Sequence, residues 1–272
     1  MIFGFGGNAG DCGGYHGWVI SVPESGAGAI DRYEVAKVDG ATDGKGAVWM
    51  GGGAPVIDSR GNVFVADGNG DATSQGDQYD FSDAVLKLNP SMRLLDWFAP
   101  TTWYSDNGSD ADLGSGQPEI LPDGTLFQIG KTQTVYVLNP NHLGHIDGAV
   151  PTFTMCSGLG DQNAYGGDAI VGPFVVIPCG GGLDAARFSA APPYGTEVWS
   201  ETATAGPPVY AAGLIWSVDP GSGTLYGLYP STGTAKVQYT IGSEQNHFPT
   251  PAIGDNMVVV ATQTSLYGFP PG

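Results

Sequence analysis

The chain has 272 residues, and its 45 glycines and 20 prolines make up close to a quarter of them, yet 41% is hydrophobic and 11% aromatic. That much apolar surface excludes a disordered low-complexity chain and leaves a fold of short strands and turns. Nine Lys and Arg against 27 Asp and Glu give a net charge of -18, which excludes nucleic acid and an anionic membrane as partners, and no run of about 20 apolar residues spans a bilayer.

In chain order, the segment from Met1 to Gly6 reads as a strand, followed by Trp18-Val-Ile-Ser-Val-Pro23. The stretch Pro55-Val-Ile-Asp58, a glycine turn and Gly61-Asn-Val-Phe-Val-Ala66 then lead to Val85-Leu-Lys-Leu-Asn-Pro90 and Arg93-Leu-Leu-Asp-Trp-Phe98. The same order returns as Pro118-Glu-Ile-Leu121, Gly124-Thr-Leu-Phe127 and Val135-Tyr-Val-Leu-Asn-Pro140. Asp168 to Gly172 with Val175 to Ile177 repeats the glycine-turn landmark, as do Pro208 to Trp216 and Pro251 to Val260. Leu225-Tyr-Gly-Leu-Tyr-Pro230, Lys236 to Thr240 and Leu266-Tyr-Gly-Phe-Pro270 complete the series. Successive closing prolines lie 67, 50, 90 and 40 residues apart, and the 90 is a doubled interval, so the period is 40 to 50 residues. Four strands per period, with no helix-period segment competing, predict an all-β propeller. The count is five full blades plus terminal half-blades, in one domain over residues 1–272, with the first and last strands sharing a sixth sheet or the chain forming part of a larger propeller.

Met1 begins directly in a strand with no basic leader, which reads as an N-terminally truncated start. The three cysteines, Cys12, Cys156 and Cys179, have no Cys-x-x-Cys spacing, so a structural zinc site is not expected. Cys156 and Cys179 flank one strand-turn-strand stretch where a disulfide would leave Cys12 over, although spacing alone does not decide the pairing. The acidic charge suits a secreted or periplasmic protein.

Asp67-Gly-Asn69-Gly-Asp71 carries oxygen ligands at alternate positions, as the start of a calcium loop does, with an Asn/Gly turn as the other reading. Asp106, Asp110 and Asp112 cluster in a Gly/Ser loop and read as turn caps or as a cation site. His142 and His145 share a turn with no third metal ligand nearby, and His247 completes the four histidines with His16, which is placed to line a pocket. No Gly-x-Ser-x-Gly motif supports hydrolase chemistry.

From Gly53 to Pro140 the sequence resembles the PQQ-repeat propellers, specifically the quinoprotein alcohol dehydrogenases, including polyvinyl-alcohol dehydrogenase. The matching pieces are Val63 to Gly70, Ser82 to Leu88, Asp110 to Pro118 and Gly130 to Leu138. The resemblance implies that Asn69 ligates a Ca²⁺ seated on the quinone, that Asp83 or Asp80 serves as base, and that Lys131 contacts the quinone. In such a site Ca²⁺ polarises the quinone carbonyl, a carboxylate takes the alcohol proton, and hydride passes to the quinone. The chain has no vicinal cysteine pair and no Cys-x-x-Cys-His segment. Two functions follow. One is a non-catalytic propeller presenting loops to a protein, glycan or small-molecule ligand; the other is a PQQ- and Ca²⁺-dependent alcohol dehydrogenase or a fragment of one.

Overall fold

A computed structural model describes residues 1–7, 11–39, 44–146, 148, 150–189, 191–242 and 248–271; His247 lies outside them. The chain divides into two compact units, Met1–Pro151 and Thr152–Gly272. Among the described residues there are six antiparallel sheets, each a meander in chain order.

The first unit opens with the sheet β1 (Ile2–Phe5), β2 (Trp18–Ser21) and β3 (Asp31–Glu34). The second sheet is β4 (Val56–Ile57), β5 (Val63–Ala66), β6 (Val85–Leu88) and β7 (Leu94–Phe98). A helix α1 (Trp103–Ser109) precedes the third sheet of β8 (Glu119–Ile120), β9 (Leu126–Gln128), β10 (Thr134–Leu138) and the short edge strand β11 (Thr152–Thr154), which starts where the second unit does. The remaining sheets are β12 (Ala169–Val171) to β15 (Gly195–Glu201) through β13 (Phe174–Cys179) and β14 (Gly182–Phe188), and then β16 (Val209–Ala211), β17 (Leu214–Asp219), β18 (Thr224–Leu228) and β19 (Ala235–Thr240). The last is β20 (Ala252–Gly254), β21 (Met257–Ala261) and β22 (Leu266–Phe269).

The landmarks of the sequence mark fixed places in each sheet. The closing proline follows the third strand in β6, β10 and β18, and β14 ends at Arg187-Phe188 without it, which is why one interval is doubled. By the same landmark β2 and β22 are third strands, so the first sheet begins at its second strand and the last stops at its third. Four sheets therefore have four strands, and each terminal sheet has three rather than a half. The N-terminal strand pairs with β2 and the C-terminal strand with β21, so each lies in a terminal sheet of its own instead of a shared one. The turn glycines Gly61, Gly124 and Gly213 have φ of 81°, 86° and 81°, a left-handed conformation a side chain resists.

The cores follow the strand order. β5 and β6 are buried at every position, Lys87 included, because both faces of these strands are covered. The Lys87 ammonium escapes desolvation by donating to Pro140 O at 2.7 Å, and it lies over the Phe64 ring. Edge strands β15 and β19 are more open, with four of seven and four of six residues exposed. One core of the first unit gathers Val19, Val65, Leu86 and Trp103, and another Phe64, Phe98, Leu126 and Leu143. The second unit has its own pair of cores, around Ile215 and Leu228 and around Trp216 and Val258.

In the second unit Cys156 and Cys179 form a disulfide with Cα atoms 5.6 Å apart, and Cys12 takes no part in it. The neighbouring Asp184, fully buried on β14, accepts the Cys156 N–H at 2.7 Å while its second oxygen lacks a partner. Burial lifts the Asp184 carboxyl to about 6, and burial likewise lifts Glu201 to about 7. Both folded values exceed the unfolded ones, so between about pH 4 and pH 7 the native state binds more protons than the unfolded chain, and stability falls as pH rises. The second unit is expected to lose about 1–2 kcal/mol from pH 4.5 to pH 7.5, a figure discounted for partial solvent screening. Urea unfolding across that range checks this, and Asp184→Asn, which keeps an acceptor for Cys156 N–H, flattens the slope.

Candidate functional site

The polar residues singled out in the sequence collect in the first unit where β5 ends. Asp67 prolongs the ladder past Ala66: its N–H donates to Ala84 O, and its Oδ1 accepts from Ala84 N–H, both at 3.0 Å. Its Oδ2 is buried without a hydrogen-bond partner. The chain then turns through Gly68, Asn69 and Gly70. A Cβ on Gly68 would collide with the Asp112 carboxylate, and one on Gly70 would sit 2.6 Å from Asp80 Oδ2. Glycine at both positions is what lets carboxylates from elsewhere in the unit close on this turn.

Two segments close on it. From α1, the buried Asn107 accepts the Gly70 N–H at 2.7 Å and donates to Ala72 O at 2.7 Å and Ser82 Oγ at 2.9 Å. Past the helix, Asp112 Oδ1 accepts the Asn69 N–H at 2.9 Å, and Asp110 Oδ1 accepts from Asn69 Nδ2 at 3.0 Å. Lys131, just after β9, donates to Asp112 at 2.5 Å and Asp110 at 2.9 Å, with its ammonium 5.7 Å from the Trp49 ring centroid. Asp83, at φ 48°, turns its carboxylate to the Leu113 N–H at 2.8 Å. Asp80 accepts from Ser82 N–H and Oγ through one oxygen only.

Carboxylates outnumber cations here. Asp67, Asp80 and Asp83 are fully buried, and each keeps one oxygen without a partner, as does the Asn69 amide. Burial pushes Asp67 and Asp83 far above the usual carboxylate range, reinforced for Asp67 by Asp83, Asp80 and Asp112 and for Asp83 by Asp112 and Asp106. Burial also raises Asp112 in spite of Lys131, whereas in the exposed Asp110 the lysine outweighs burial and holds the carboxyl low. The difference is solvation: both touch the same ammonium, but only Asp112 has lost its water.

Not every expected residue joins this cluster. Asp71 faces outward in a 3.2 Å ion pair with Lys45. His16 is bonded through Nδ1 to Val35 O at 3.1 Å and bridges backbone to Lys45, which in turn bridges Gly70, so one strand of chain lies between His16 and the turn. The Asp106 to Asp112 loop is partly helix: α1 ends on Asp110 in the left-handed conformation, and Asp106 accepts from Thr102 Oγ1 at 2.6 Å. His142 and His145 have ring centroids 6.4 Å apart, and His145 instead stacks on Trp97 and meets Asp96 at 3.1 Å. Asn107 and Trp49 are members that sequence reasoning missed.

The unpartnered oxygens have the chemistry of a hard-cation donor set. Among the described residues, no group of three His, Cys, Asp or Glu side chains is placed to hold a metal ion. The quinone fits less well, because the ammonium that would contact it is committed to Asp110 and Asp112. Elsewhere in the unit, a cleft of about 570 Å³ opens beside β4 and β8, with Ile57, Arg60, Glu119, Ile120 and Asn141 in its walls.

No protein-family model matches the sequence, and no curated protein matches it. Solved structures do match. Quinohemoprotein alcohol dehydrogenase from Comamonas testosteroni aligns with a TM-score of 0.60 at 14% identity, over 96% of this chain and 54% of that one. Virginiamycin B lyase from Staphylococcus aureus gives 0.56 at 12% identity, over 99% of this chain and 88% of the other. BamB from Moraxella catarrhalis gives 0.52 at 13% identity, over 80% of this chain, which spans 60% of BamB's length. Likeness at these identities establishes the fold: the chain is an all-β protein of the propeller class, like its PQQ-type neighbours and like propellers outside that group.

Proposed function

We propose that the chain is a PQQ-like propeller acting as an extracytoplasmic binding or scaffold module, secreted or periplasmic, whose ligand is a protein, a glycan or a small molecule. The observation that carries this reading is the commitment of Lys131. Its ammonium, which a quinoprotein would turn to the cofactor, is held by two aspartates at 2.5 and 2.9 Å. A propeller keeps its sheets when chemistry is absent, because blade packing does not depend on a cofactor. The disulfide supports an oxidising compartment. The open cleft beside β4 and β8, where Ile57 and Ile120 stand among Asp58, Arg60, Glu119 and Asn141, is the surface on which this reading looks for a ligand.

A second reading, the PQQ- and Ca²⁺-dependent alcohol dehydrogenase or a fragment of one, is favoured by the meeting of Asn69 and Lys131 on one aspartate, Asp110, with Trp49 beneath the ammonium. Titration with PQQ, with and without Ca²⁺, read by tryptophan fluorescence, separates the two. The module reading expects no saturable quenching up to roughly tens of micromolar cofactor. Saturable, Ca²⁺-dependent quenching that disappears in Asn69→Ala and Lys131→Ala would replace it with the quinoprotein.

A further inference from the structure

In the second unit, β17 and β18 turn Leu214, Trp216, Val218 and Leu225 to the last sheet, where Val258, Val260, Tyr267 and Phe269 receive them. None of the first four is more than 2% exposed. The strand registers of the two sheets correspond: Trp216 and Val218 oppose Gly227 and Leu225, as Val259 and Ala261 oppose Gly268 and Leu266. Met257, Val259, Ala261 and Leu266 therefore occupy the corresponding face of the last sheet, and there Leu266 is 72% exposed and Met257 40%. A sheet with one solvated face alternates apolar and polar residues, but Met257-Val-Val-Val-Ala261 and Leu266-Tyr-Gly-Phe269 do not. Neither strand carries a charge, in a chain of net charge -18.

The opposite face is bare in the first unit. Ile2, Val19 and Tyr33 of the first sheet join the core that holds Val63, Val65, Leu86 and Leu88 of the second. Phe3 opposes Ile20 and Phe5 opposes Trp18, so these four share the other face of the first sheet. They stand where Val63, Val65, Leu86 and Leu88 stand on the next sheet, yet Phe3 is 42% and Phe5 49% exposed.

We propose that the chain associates with a second copy of itself head to tail, the Met257 and Leu266 face of one copy packing on the Phe3, Phe5 and Trp18 face of the next. The contact continues between copies the sheet-on-sheet packing that each unit makes within itself, since each bare face is the counterpart of one that is buried there. The two faces differ, so the contact is heterologous and every copy offers one of each. Charge does not oppose it: the last sheet's strands bring none, and on the first sheet Arg32 and Glu34, opposite Ile20 and Trp18, cancel. Neither face includes a residue of the cleft or of the Asp67–Asp71 turn, so self-association holds or fails independently of the proposed function.

The test is sedimentation velocity over roughly 1 to 100 micromolar protein. The wild type is expected to pass from monomer to dimer or larger species across that range. Leu266→Glu and Phe3→Glu, both at exposed positions and checked for folding by circular dichroism, are each expected to weaken association at least tenfold. An equimolar mixture of the two restores a dimer and nothing larger, because one intact face of each kind remains. A wild type that stays monomeric throughout overturns the proposal, as does association unchanged in both variants. A mixture that stays monomeric, or a variant that dimerises as well alone as mixed, equally overturns it, since the faces would then not be each other's partners.

Discussion

Lys131→Met is expected to cost the first unit about 3–5 kcal/mol, the largest effect of any single side chain in the cluster. The lysine side chain is 13% exposed and that of Asp112 9%, so their 2.5 Å pair is shielded from water and salt. Methionine keeps the aliphatic stem beside Trp49 and removes only the charge. Asp112 is then left buried with no cation, and it still has to accept the Asn69 N–H that shapes the turn. Asp110 behaves differently, because at 79% side-chain exposure water replaces the lysine. Urea unfolding gives the loss, and hydrogen exchange followed by mass spectrometry places it in residues 1–151 rather than in the second unit.

The second large effect belongs to the disulfide. Cys156 and Cys179 are 23 residues apart, and closing a loop of that length restricts the unfolded chain by about 3 kcal/mol. Replacing both cysteines by alanine is expected to destabilise the second unit by that amount, with the first unit unaffected. The wild type loses the same stability in dithiothreitol, and the double variant is indifferent to it. A midpoint that does not move on reduction would mean that β13 and the Cys156 segment are held by packing and by the Asp184 hydrogen bond alone.

The period of the fold was legible because its signals are local. A proline that closes the third strand and a left-handed glycine at the turn can be recognised within a few residues, wherever the sheet lies. What stayed hidden lacked such signals. β14 has no closing proline, and β11 is only three residues long. Helix α1 covers seven residues, including Asn107 and Gly108, too short and too rich in poor helix formers to show a 3.6-residue period. The strand count of the terminal sheets follows from the closing proline only once the complete sheets show that this proline ends a third strand.

The candidate site divides along the same line. Asp67, Asn69, Asp80 and Asp83 lie within one short stretch, and Lys131 was marked by its place in a strand motif. Their organisers come from far along the chain: Asp112 reaches Asn69 across 43 residues and Asn107 reaches Gly70 across 37. Asp112 stood out only as part of an acidic loop, with nothing to show that it reaches Asn69, and nothing local distinguishes Asn107 from an ordinary loop polar residue. Asp71 and His16 failed to join for a related reason. Alternate spacing in a turn does not say which side chains face inward, and Lys45 draws Asp71 out.

The central claim is that these polar groups form a single energetically coupled site rather than a set of neighbouring turns. A double-mutant cycle between Lys131→Met and Asp112→Asn, measured by urea unfolding, tests it most directly. The account predicts a coupling of at least about 1.5 kcal/mol, with the double variant more stable than Lys131→Met alone because no buried charge is left unpaired. Additive losses within about 0.5 kcal/mol would contradict it, and Lys131 and Asp112 would then be near neighbours with no shared energetic role.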